Sequence, residues 1–437
     1  MSHYAPPMAA SEAVERIWRP QAGVPGAAPV VAVAVSGGRD SMALLHCTAA
    51  VAKAEGVAVV ALHVHHGLQS DADKWAIHVA RACRRWSVYF SMIKLVGKPA
   101  QGQSVEAWAR RGRYRALTDM ARAADSDLVL LAHHRRDQAE TFVLQALRGG
   151  GPAGLAAMPE RAVRDGITWA RPWLTQTDEA MAAYTRRHRL RFAEDPSNVD
   201  PRFARSRLRH QVMPALRAAF PDAEAAFAAA AAQSAQAQAV LAEVASADLA
   251  SLCDGAALRL PPWRLLSTAR RRNALQAWLR EHLERGAPHA LVERLMAELP
   301  KQGAAQWPCD GGTLCCHRGR LVVMPHPTSA SATAALTFDG ASRLTAVEEG
   351  GIPTRLLQGA HWRPRVGGER FQRAPGTPPR SLKKQFQAAG VAAWQRDALL
   401  LIAADGQLLF VPGLGVDARA LALPGEPQQA VIWPVLP

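Results

Sequence analysis

Two short segments of this 437-residue sequence contain the residue types that phosphate chemistry requires. The first, residues 36–41, reads Ser-Gly-Gly-Arg-Asp-Ser and directly follows the apolar run 30–35. A Gly-Gly turn lets backbone N–H groups approach an anion, and a helix that starts there adds the positive end of its dipole. Because a carboxylate beside a phosphate is repelled unless a cation bridges the two, Asp40 predicts a bound Mg²⁺. Taken alone, Asp40 would also suit a helix-start carboxylate that only interacts with the dipole.

The second segment, residues 132–141, reads Ala-His-His-Arg-Arg-Asp-Gln-Ala-Glu-Thr. Asp137 and Glu140 are three residues apart, so on a helix they lie on the same face. Paired carboxylates at a strand end can bind an incoming ammonium group or take its proton. Taken alone, they would more simply cap a helix N-terminus beside Arg135 and Arg136. Their combination with residues 36–41 favours a functional role.

The elements around both segments alternate between strand and helix. Apolar runs predict strands at 30–35, 57–64, 88–95 and 127–132, and helical periods predict helices at 42–55, 71–86, 104–124 and 135–147. Repeated strand–helix units of this length indicate parallel pairing with right-handed crossovers. Both chemical segments follow strands, so they should meet at the carboxyl edge of one sheet. The predicted fold class is α/β, a doubly wound, Rossmann-like parallel sheet, followed by a helical domain and a small C-terminal α+β domain.

The length of the chain predicts two or three domains rather than one core. We expect a catalytic domain over residues 1–215, and a helical domain over residues 216–330 where the composition becomes rich in Ala and Gln. A small-residue linker at 325–334 precedes a C-terminal domain at 335–437, in which residues 398–403 and 407–411 resemble strands.

The charge balance favours a polyanionic partner. Lys and Arg total 52 against 37 Asp and Glu, which gives a net charge of +15, and nucleic acid is the commonest soluble polyanion. A basic surface produced only by a preference for Arg codons would give the same count. The basic residues are concentrated, however: residues 110–115 contain four arginines, and residues 201–221 contain five arginines and no acid. Such clusters are typical of phosphate or RNA contact.

Several classes of protein are disfavoured by the composition. The six cysteines include no C-x-x-C pair, which disfavours a zinc ribbon or a disulfide scaffold. The N-terminal residues lack a basic start followed by an apolar run, and no uncharged stretch would span a bilayer, so we expect a cytoplasmic protein without membrane contact. His63 and His65 share a strand face, but no further ligand follows at metal-site spacing, which favours ordinary strand-end histidines.

The motifs resemble a known family of enzymes. Residues 36–41 resemble the pyrophosphatase-loop signature of the N-type ATP pyrophosphatases, the PP-loop superfamily, which cleave ATP between the α and β phosphates. Within that superfamily, residues 63–69 resemble the H-V-N-H-G-L-R segment of the tRNA(Ile)-lysidine synthetase family, with His65 at the usual Asn and Gln69 at the usual Arg. Residues 133–155 resemble its H-H-x-x-D-Q-x-E-T…R-G-x-G-x-x-G-L run. Weaker similarities occur at 106–114, 171–174, 194–214 (with Ser206 at a usual Asn), 365–370, 381–384 and 411–415.

The resemblance implies that the protein ligates free lysine to the wobble cytidine of tRNA(Ile) with a CAU anticodon, using ATP and Mg²⁺. It implies an adenylylated cytidine intermediate and the release of pyrophosphate and AMP. The ATP-binding residues would be Ser36, Gly37, Gly38, Arg39, Asp40, Ser41 and His63, with Asp40 also holding the metal. The catalytic residues would be Asp40, Asp137 and Glu140, and the lysine-binding residues His133, Asp137 and Glu140. The tRNA-binding residues would be Arg110, Arg113, Arg205, Arg207, Arg209 and Arg370.

Three alternatives share parts of this pattern. Thiolation of a tRNA base on the same fold generally needs sulfur-carrying cysteines, which the absence of C-x-x-C disfavours. An amidation of the GMP synthetase kind would leave the arginine-rich appended domains unexplained. An RNA-binding module without catalysis would not need Asp40, Asp137 and Glu140 beside a phosphate. A homodimer is possible for any of these.

Overall fold

The computed structural model of the chain describes residues 10–18, 30–65, 67, 72–97, 105–194, 200–283, 286–299, 304–325, 344–391, 396 and 399–432. The chain divides into two compact units, Met1–Val240 and Leu241–Pro437. Gln69, residues 195–198 of one family motif and most of the predicted linker lie outside the described residues.

The first unit contains a six-stranded sheet with the order β3-β2-β1-β4-β6-β5. Its strands are β1 Val30–Ala34, β2 Ala58–His65, β3 Tyr89–Lys94, β4 Leu128–Leu130, β5 Arg161–Arg164 and β6 Ile167–Ala170. β1 pairs in parallel with β2 on one side and β4 on the other, and only β5 runs antiparallel to its neighbour. Successive strands are therefore added in opposite directions from β1, which creates a switch point between β1 and β4.

Helices cover both faces of this sheet. They are α1 Ala10–Trp18, α2 Arg39–Glu55, α3 Ala72–Trp86, α4 Val105–Ala123, α5 Arg135–Leu147, α6 Pro152–Leu155 and α7 Asp178–Arg187. Val31 and Val33 of β1 pack with α1, α2, α3 and α7, whereas Ala32 between them packs with α4 on the opposite face. Alternate side chains of one strand enter two cores, as expected for a strand that is buried on both faces. The doubly wound α/β prediction is confirmed.

The remainder of the first unit is helical. Short helix α8 Ala204–Arg207 continues into a π-helical turn, Leu208–Val212, and then into α9 Met213–Ala219. The 30-residue helix α10, Ala223–Leu252, follows, and the boundary between the two units falls within it.

The second unit opens with helices and an antiparallel sheet around three buried tryptophans, Trp263, Trp278 and Trp307. The helices are α11 Leu260–Leu265, α12 Thr268–His282 and α13 His289–Glu298. The strands are β7 Cys253–Asp254, β8 Ala257–Arg259, β9 Ala305–Cys309, β10 Gly312–His317 and β11 Arg320–Pro325. The predicted helical domain thus also contains a five-stranded sheet with the order β7-β8-β11-β10-β9.

The described residues of the C-terminal part form three small sheets and two α-helices, in agreement with the predicted α+β composition. The helices are α14 Thr354–Leu357 and α15 Leu382–Ala389. The strands are β12 Leu344–Val347, β13 Ile352–Pro353, β14 His361–Arg363, β15 Arg370–Phe371, β16 Arg380–Ser381, β17 Leu400–Ile402, β18 Leu408–Val411, β19 Gly415–Val416 and β20 Gln428–Val431. No helix among the described residues combines the length and apolar character needed to cross a membrane.

Candidate active site

The loop between β1 and α2 is folded around two serine side chains. The N–H of Ser36 donates to Oγ of Ser41 at 3.2 Å, and the two hydroxyl oxygens lie 3.1 Å apart. The Ser41 hydroxyl donates to the Gly38 carbonyl at 3.0 Å, and the N–H of Gly38 lies 3.3 Å from Oγ of Ser36. Gly37 has a φ of +94°, a backbone conformation that a side chain would strain. The loop is therefore a compact turn that ends at the N-terminus of α2.

A cavity of about 970 Å³ opens at this loop. Its wall is formed by the ends of β1, β2 and β4, on the carboxyl side of the parallel strands. Ligands of doubly wound sheets bind at this position, and the volume suits a nucleotide-sized molecule. The residues with polar side chains that line the cavity include Ser36, Arg39, Asp40, Ser41, His63, His65, Arg113, Tyr114, His133, Glu194 and Arg209.

An ionic cluster lies beside the loop. Asp40, in the first turn of α2, accepts a hydrogen bond from Nε of Arg39 at 2.8 Å, and Arg39 also donates to Asp178 at the start of α7. Nε2 of His134 lies 3.6 Å from Oδ2 of Asp40 and from Oδ2 of Asp137, and 3.7 Å from Oδ1 of Asp178. One imidazole nitrogen is thus surrounded by three carboxylates.

The electrostatics of the cluster follow from this arrangement. Burial would raise the pKa of Asp40, but hydrogen bonding and charge from His134 and Arg39 outweigh it and lower that pKa to about 2. Burial would lower the pKa of His134, yet the hydrogen bond to Asp40 and the charges of Asp137, Asp40 and Asp178 raise it. Asp40 therefore stays ionised and favours a cation beside it.

The residues present fit a divalent metal. Asp40, His134 and Asp178 offer ligand atoms that all lie within 4.8 Å of one another. Ligands about 2.1 Å from a shared ion lie about 3.0–3.4 Å apart, so small side-chain movements would close this site. Arg39 donates to both carboxylates, which means that an ion would displace its guanidinium. The sequence analysis did not predict Asp178. Its position directly after Thr177, which caps α7 by accepting a hydrogen bond from the N–H of Ala180, was the one sequence feature that marked it as a helix-start carboxylate.

Asp137 and Glu140 lie together on one face of α5, as their spacing indicates. Glu140 is fully buried, and its two carboxylate oxygens accept from Nε of Arg209 at 2.7 Å and Nη2 of Arg209 at 2.8 Å. Nε of Arg205 adds a third contact to Glu140 at 3.1 Å. Asp137 accepts from the N–H of His134 at 3.1 Å, as an N-terminal cap, and from Nη2 of Arg209 at 3.2 Å. Asp137 thus caps α5, and it also accepts a hydrogen bond from Arg209, which lines the cavity.

Two histidines of the predicted site lie at the strand ends. Nδ1 of His63 lies 2.8 Å from the carbonyl of Val35, so His63 links β2 to the loop after β1. His133 follows β4 and borders the cavity. Burial and the charges of nearby arginines, chiefly Arg171, lower the pKa of His133. The charge of Asp137 acts in the opposite direction but is outweighed, so the imidazole of His133 stays neutral.

The predicted tRNA-binding arginines occupy three kinds of position. Arg205 and Arg209 contact the carboxylates of α5, and Arg113 lines the cavity. Arg110 is exposed on α4, with its guanidinium 5.3 Å from the ring centre of Tyr114. Arg207 is exposed and donates to the carbonyls of Pro201 and Arg202. Arg370, in the second unit, is exposed and donates to the carbonyl of Pro379 at 2.7 Å.

Comparisons with known proteins agree with this architecture. A PP-loop domain profile matches residues 12–216, a TilS substrate binding domain profile matches residues 258–322, and a TilS substrate C-terminal domain profile matches residues 360–433. The chain is 39% identical over 426 residues to the tRNA(Ile)-lysidine synthase of Ralstonia nicotianae, covering 92% of each chain. It is 38% identical over 410 residues to that of Chromobacterium violaceum, covering 89% of this chain and 92% of the relative. The Burkholderia mallei enzyme of the same name is 36% identical over 443 residues, covering 89% of each chain. The chain belongs to the tRNA(Ile)-lysidine synthase family.

Proposed function

We propose that this protein is an ATP-dependent ligase that joins lysine to the wobble cytidine of tRNA(Ile) with a CAU anticodon. The observation that carries the proposal is the serine-glycine loop at the switch point of the sheet, which shares one cavity with Asp40 and His133 and lies beside the carboxylate of Asp137. Membership of the family supports the substrate class and the use of ATP, and the position and volume of the cavity support binding of ATP there.

In the first step, the ring carbonyl oxygen of the cytidine attacks the α-phosphorus of ATP, a P–O bond forms, and pyrophosphate leaves. Residues 36–41 would hold the phosphates, because the first turn of α2 has N–H groups without helical partners and the two serines add hydroxyls. Mg²⁺ held by Asp40 and Asp178, with His134 beside them, would neutralise charge on the departing pyrophosphate.

In the second step, the amino group of lysine forms a C–N bond to the adenylylated cytidine, and AMP leaves with the electrons of the broken C–O bond. Asp137 is proposed to orient the amino group. The pKa of Asp137 is lowered, because the charges of His134 and Arg205 and the hydrogen bond from the N–H of His134 outweigh the effect of burial. As the C–N bond forms, the attacking nitrogen becomes strongly acidic, so even a carboxylate with a lowered pKa can accept its proton.

Transfer of labelled lysine tests this proposal. Unmodified tRNA(Ile) with a CAU anticodon is incubated with ATP, Mg²⁺ and radiolabelled lysine, and wild type is compared with Asp40→Ala and with Asp119→Ala, a control at an exposed position of α4. We expect label on the tRNA with wild type and the control, and none above background with Asp40→Ala. Absence of transfer by wild type that still binds the tRNA would refute the proposed reaction. Transfer by Asp40→Ala at the wild-type rate would refute the role of Asp40.

The adenylylated intermediate has its own test. Wild type given tRNA and ATP without lysine should release one equivalent of pyrophosphate per active site and retain AMP on the tRNA. Release of pyrophosphate only after lysine is added would contradict the two-step order.

The thiolation alternative is disfavoured by the state of the cysteines. All six are free, and four of them are buried. Burial raises the pKa of Cys47 to about 11 and of Cys83 to about 12, which disfavours the thiolate that sulfur transfer needs. The cytoplasmic location and a possible homodimer stay predictions; sedimentation at several protein concentrations measures the latter.

A further inference from the structure

Glu140 is the most completely enclosed carboxylate near the cavity. It is fully buried, and its oxygens accept from two guanidinium groups, those of Arg205 and Arg209. A buried carboxylate is stable only when it is paired and hydrogen-bonded, and both conditions are met here by the arginines. A lysine ammonium would have to displace one of these guanidinium groups to reach Glu140. The contacts therefore give this carboxylate a different partner from the one that the sequence predicts.

The backbone around Arg209 has an unusual helical form that supports this pairing. The N–H of Met213 donates to the carbonyl of Leu208, five residues earlier, which defines the π-helical turn. Pro214 follows and has no N–H to continue an ordinary α-helical ladder. Arg205 and Arg209, four residues apart, both contact Glu140, which lies 65 and 69 residues earlier in the chain.

Arg209 also borders the cavity that contains the serine-glycine loop. Its guanidinium bridges Glu140 and Oδ1 of Asp137. Among the described residues, Arg209 lines the cavity together with two other arginines, Arg39 and Arg113. Nε and Nη2 of Arg209 donate to Glu140 and Asp137, so a contact with a phosphate oxygen falls to Nη1. The double contact with Glu140 fixes the orientation of the guanidinium for such a charge-assisted hydrogen bond.

We propose that Arg209 contacts the phosphates of ATP and that Glu140 is a positioning residue which acts through Arg209, rather than the group that receives lysine. This inference rests on the proposed function for the identity of the nucleotide. It assigns Arg209, which the sequence analysis placed at the tRNA, to the nucleotide side of the site.

A purely structural role is the competing explanation. An apolar cluster that includes Ala139, Leu208 and Met213 lies beside these ion pairs and also joins α5 to the segment after α8. If Glu140 only anchored that segment, its replacement would lower stability without a selective effect on one substrate. The test therefore needs a readout for each substrate.

Equilibrium binding of ATP in the presence of Mg²⁺, without tRNA or lysine, gives the first readout. The variants are Glu140→Gln, which removes the charge and turns an amide N–H towards the guanidinium, Glu140→Asp, which keeps the charge, and Arg209→Lys. Arg164→Gln, at an exposed position of β5, is the matched control. We expect Glu140→Gln and Arg209→Lys each to raise the Kd for ATP by about tenfold or more, Glu140→Asp to recover part of the loss, and the control to be unchanged. The double variant should bind ATP no more weakly than the weaker single variant, because one contact is lost in both.

Steady-state kinetics give the second readout. We expect the KM for lysine to stay within about twofold of wild type in Glu140→Gln while the KM for ATP rises. An increase in the KM for lysine with an unchanged Kd for ATP would overturn the proposal and return Glu140 to lysine binding. Additive losses in the double variant would also overturn it. If Glu140→Gln does not fold, an unchanged Kd for ATP in Arg209→Lys overturns the proposal by itself.

Failure of this inference and failure of the proposed function are separable. If wild type makes no lysidine but its ATP binding depends on Glu140, the proposed function is refuted and the positioning role is supported. If wild type makes lysidine but ATP binding is unchanged in the Glu140 and Arg209 variants, the positioning role alone is refuted.

Discussion

Asp178→Asn removes one of the two carboxylates that face each other across Arg39. Asp178 accepts from Arg39, and its Oδ2 lies 3.4 Å from Nη2 of Arg136. Its Oδ1 is 3.7 Å from Nε2 of His134. Asparagine has nearly the same shape and size, so the substitution changes the charge of the site with little change in packing.

The expected magnitude follows from the ligand count. Asp40, His134 and Asp178 supply two anionic oxygens and one nitrogen to the candidate cation site, and the variant halves the negative charge. Loss or reorientation of one such group typically costs about 10–100-fold in metal affinity, or about 1.4–2.7 kcal/mol. The freed guanidinium of Arg39 keeps its contact with Asp40 and competes with the ion there. Both effects act in the same direction, towards a higher requirement for the cation.

Two assays measure this change. The first titrates Mg²⁺ against pyrophosphate release in the presence of ATP and tRNA, and the midpoint should rise about 10–100-fold in Asp178→Asn. The second follows binding of Mn²⁺, without nucleotide, by its paramagnetic signal, which does not depend on activity. Asp119→Asn, which removes an exposed carboxylate of α4, should match wild type in both. Equal Mn²⁺ affinities for wild type and Asp178→Asn would show that Asp178 holds Arg39 rather than a metal.

Three further perturbations test other parts of the molecule. Gly37→Ala places a side chain at φ +94° and should lower the free energy of unfolding by about 1–2 kcal/mol and weaken ATP binding. The control Gly97→Ala, at φ +104°, should lower stability by a similar amount and leave the Kd for ATP, measured by calorimetry, unchanged. Burial and the charge of His188 lower the pKa of His46, so as the pH falls His46 is protonated in the unfolded chain before it is protonated in the folded protein. Stability should therefore fall as the pH drops below about 6.5, and the Tm of His46→Phe should decrease less at acid pH than that of wild type. Arg110→Gln should weaken tRNA binding and reduce the slope of log K against log salt by about one, with no effect on ATP, and an unchanged slope would exclude a phosphate contact by this residue.

The centre of the sheet was predictable because β1, β2 and β4 are buried on both faces. The run 30–35 has no polar residue, and such runs separated by helical periods leave few topologies. The helix after the first run begins at Arg39 rather than at residue 42, because Gly38 takes the extended N-cap position. β5 and β6 were missed, since strands of four residues around the turn at Asp165 and Gly166 give no period long enough to recognise.

The sheet of the second unit was missed for a related reason. β7 has two residues and β8 has three, and β9 contains Pro308, which normally argues against a strand. β7 pairs with β8, β8 pairs with β11, and β9 pairs with β10 and places Trp307 in the core of the unit. A local pattern does not contain these contacts. Tertiary context, rather than propensity, decides such elements.

The site was predictable where one motif supplies both the element and the chemistry, as in residues 36–41. Residues 36–41 and 132–141 meet as expected, because both follow parallel strands of one sheet. The contribution of Asp178, which follows no such strand, was not predictable. Asp178 reaches Arg39 across 139 residues, and no spacing rule relates the two positions. The N-cap residue Thr177 indicates that α7 begins at Asp178. That the start of α7 lies near the switch point follows from the folded sheet and not from the local sequence.

The arginine-rich segment 201–221 shows why charge counts predict partners better than residue roles. An excess of arginine over acid indicates a polyanion for the segment as a whole, because unpaired charges are counted within the segment itself. The count does not include Glu140, which is buried in α5 and accepts from Arg205 and Arg209. Helical spacing distinguishes the arginines that contact Glu140 from those that do not. Arg205 and Arg209 are four residues apart and share a helix face, whereas Arg207 lies two residues from each, on a different face, and is exposed. The basic segment beside the cavity therefore contains two sets of cations, and we expect only those on the face away from the buried carboxylate to contact RNA.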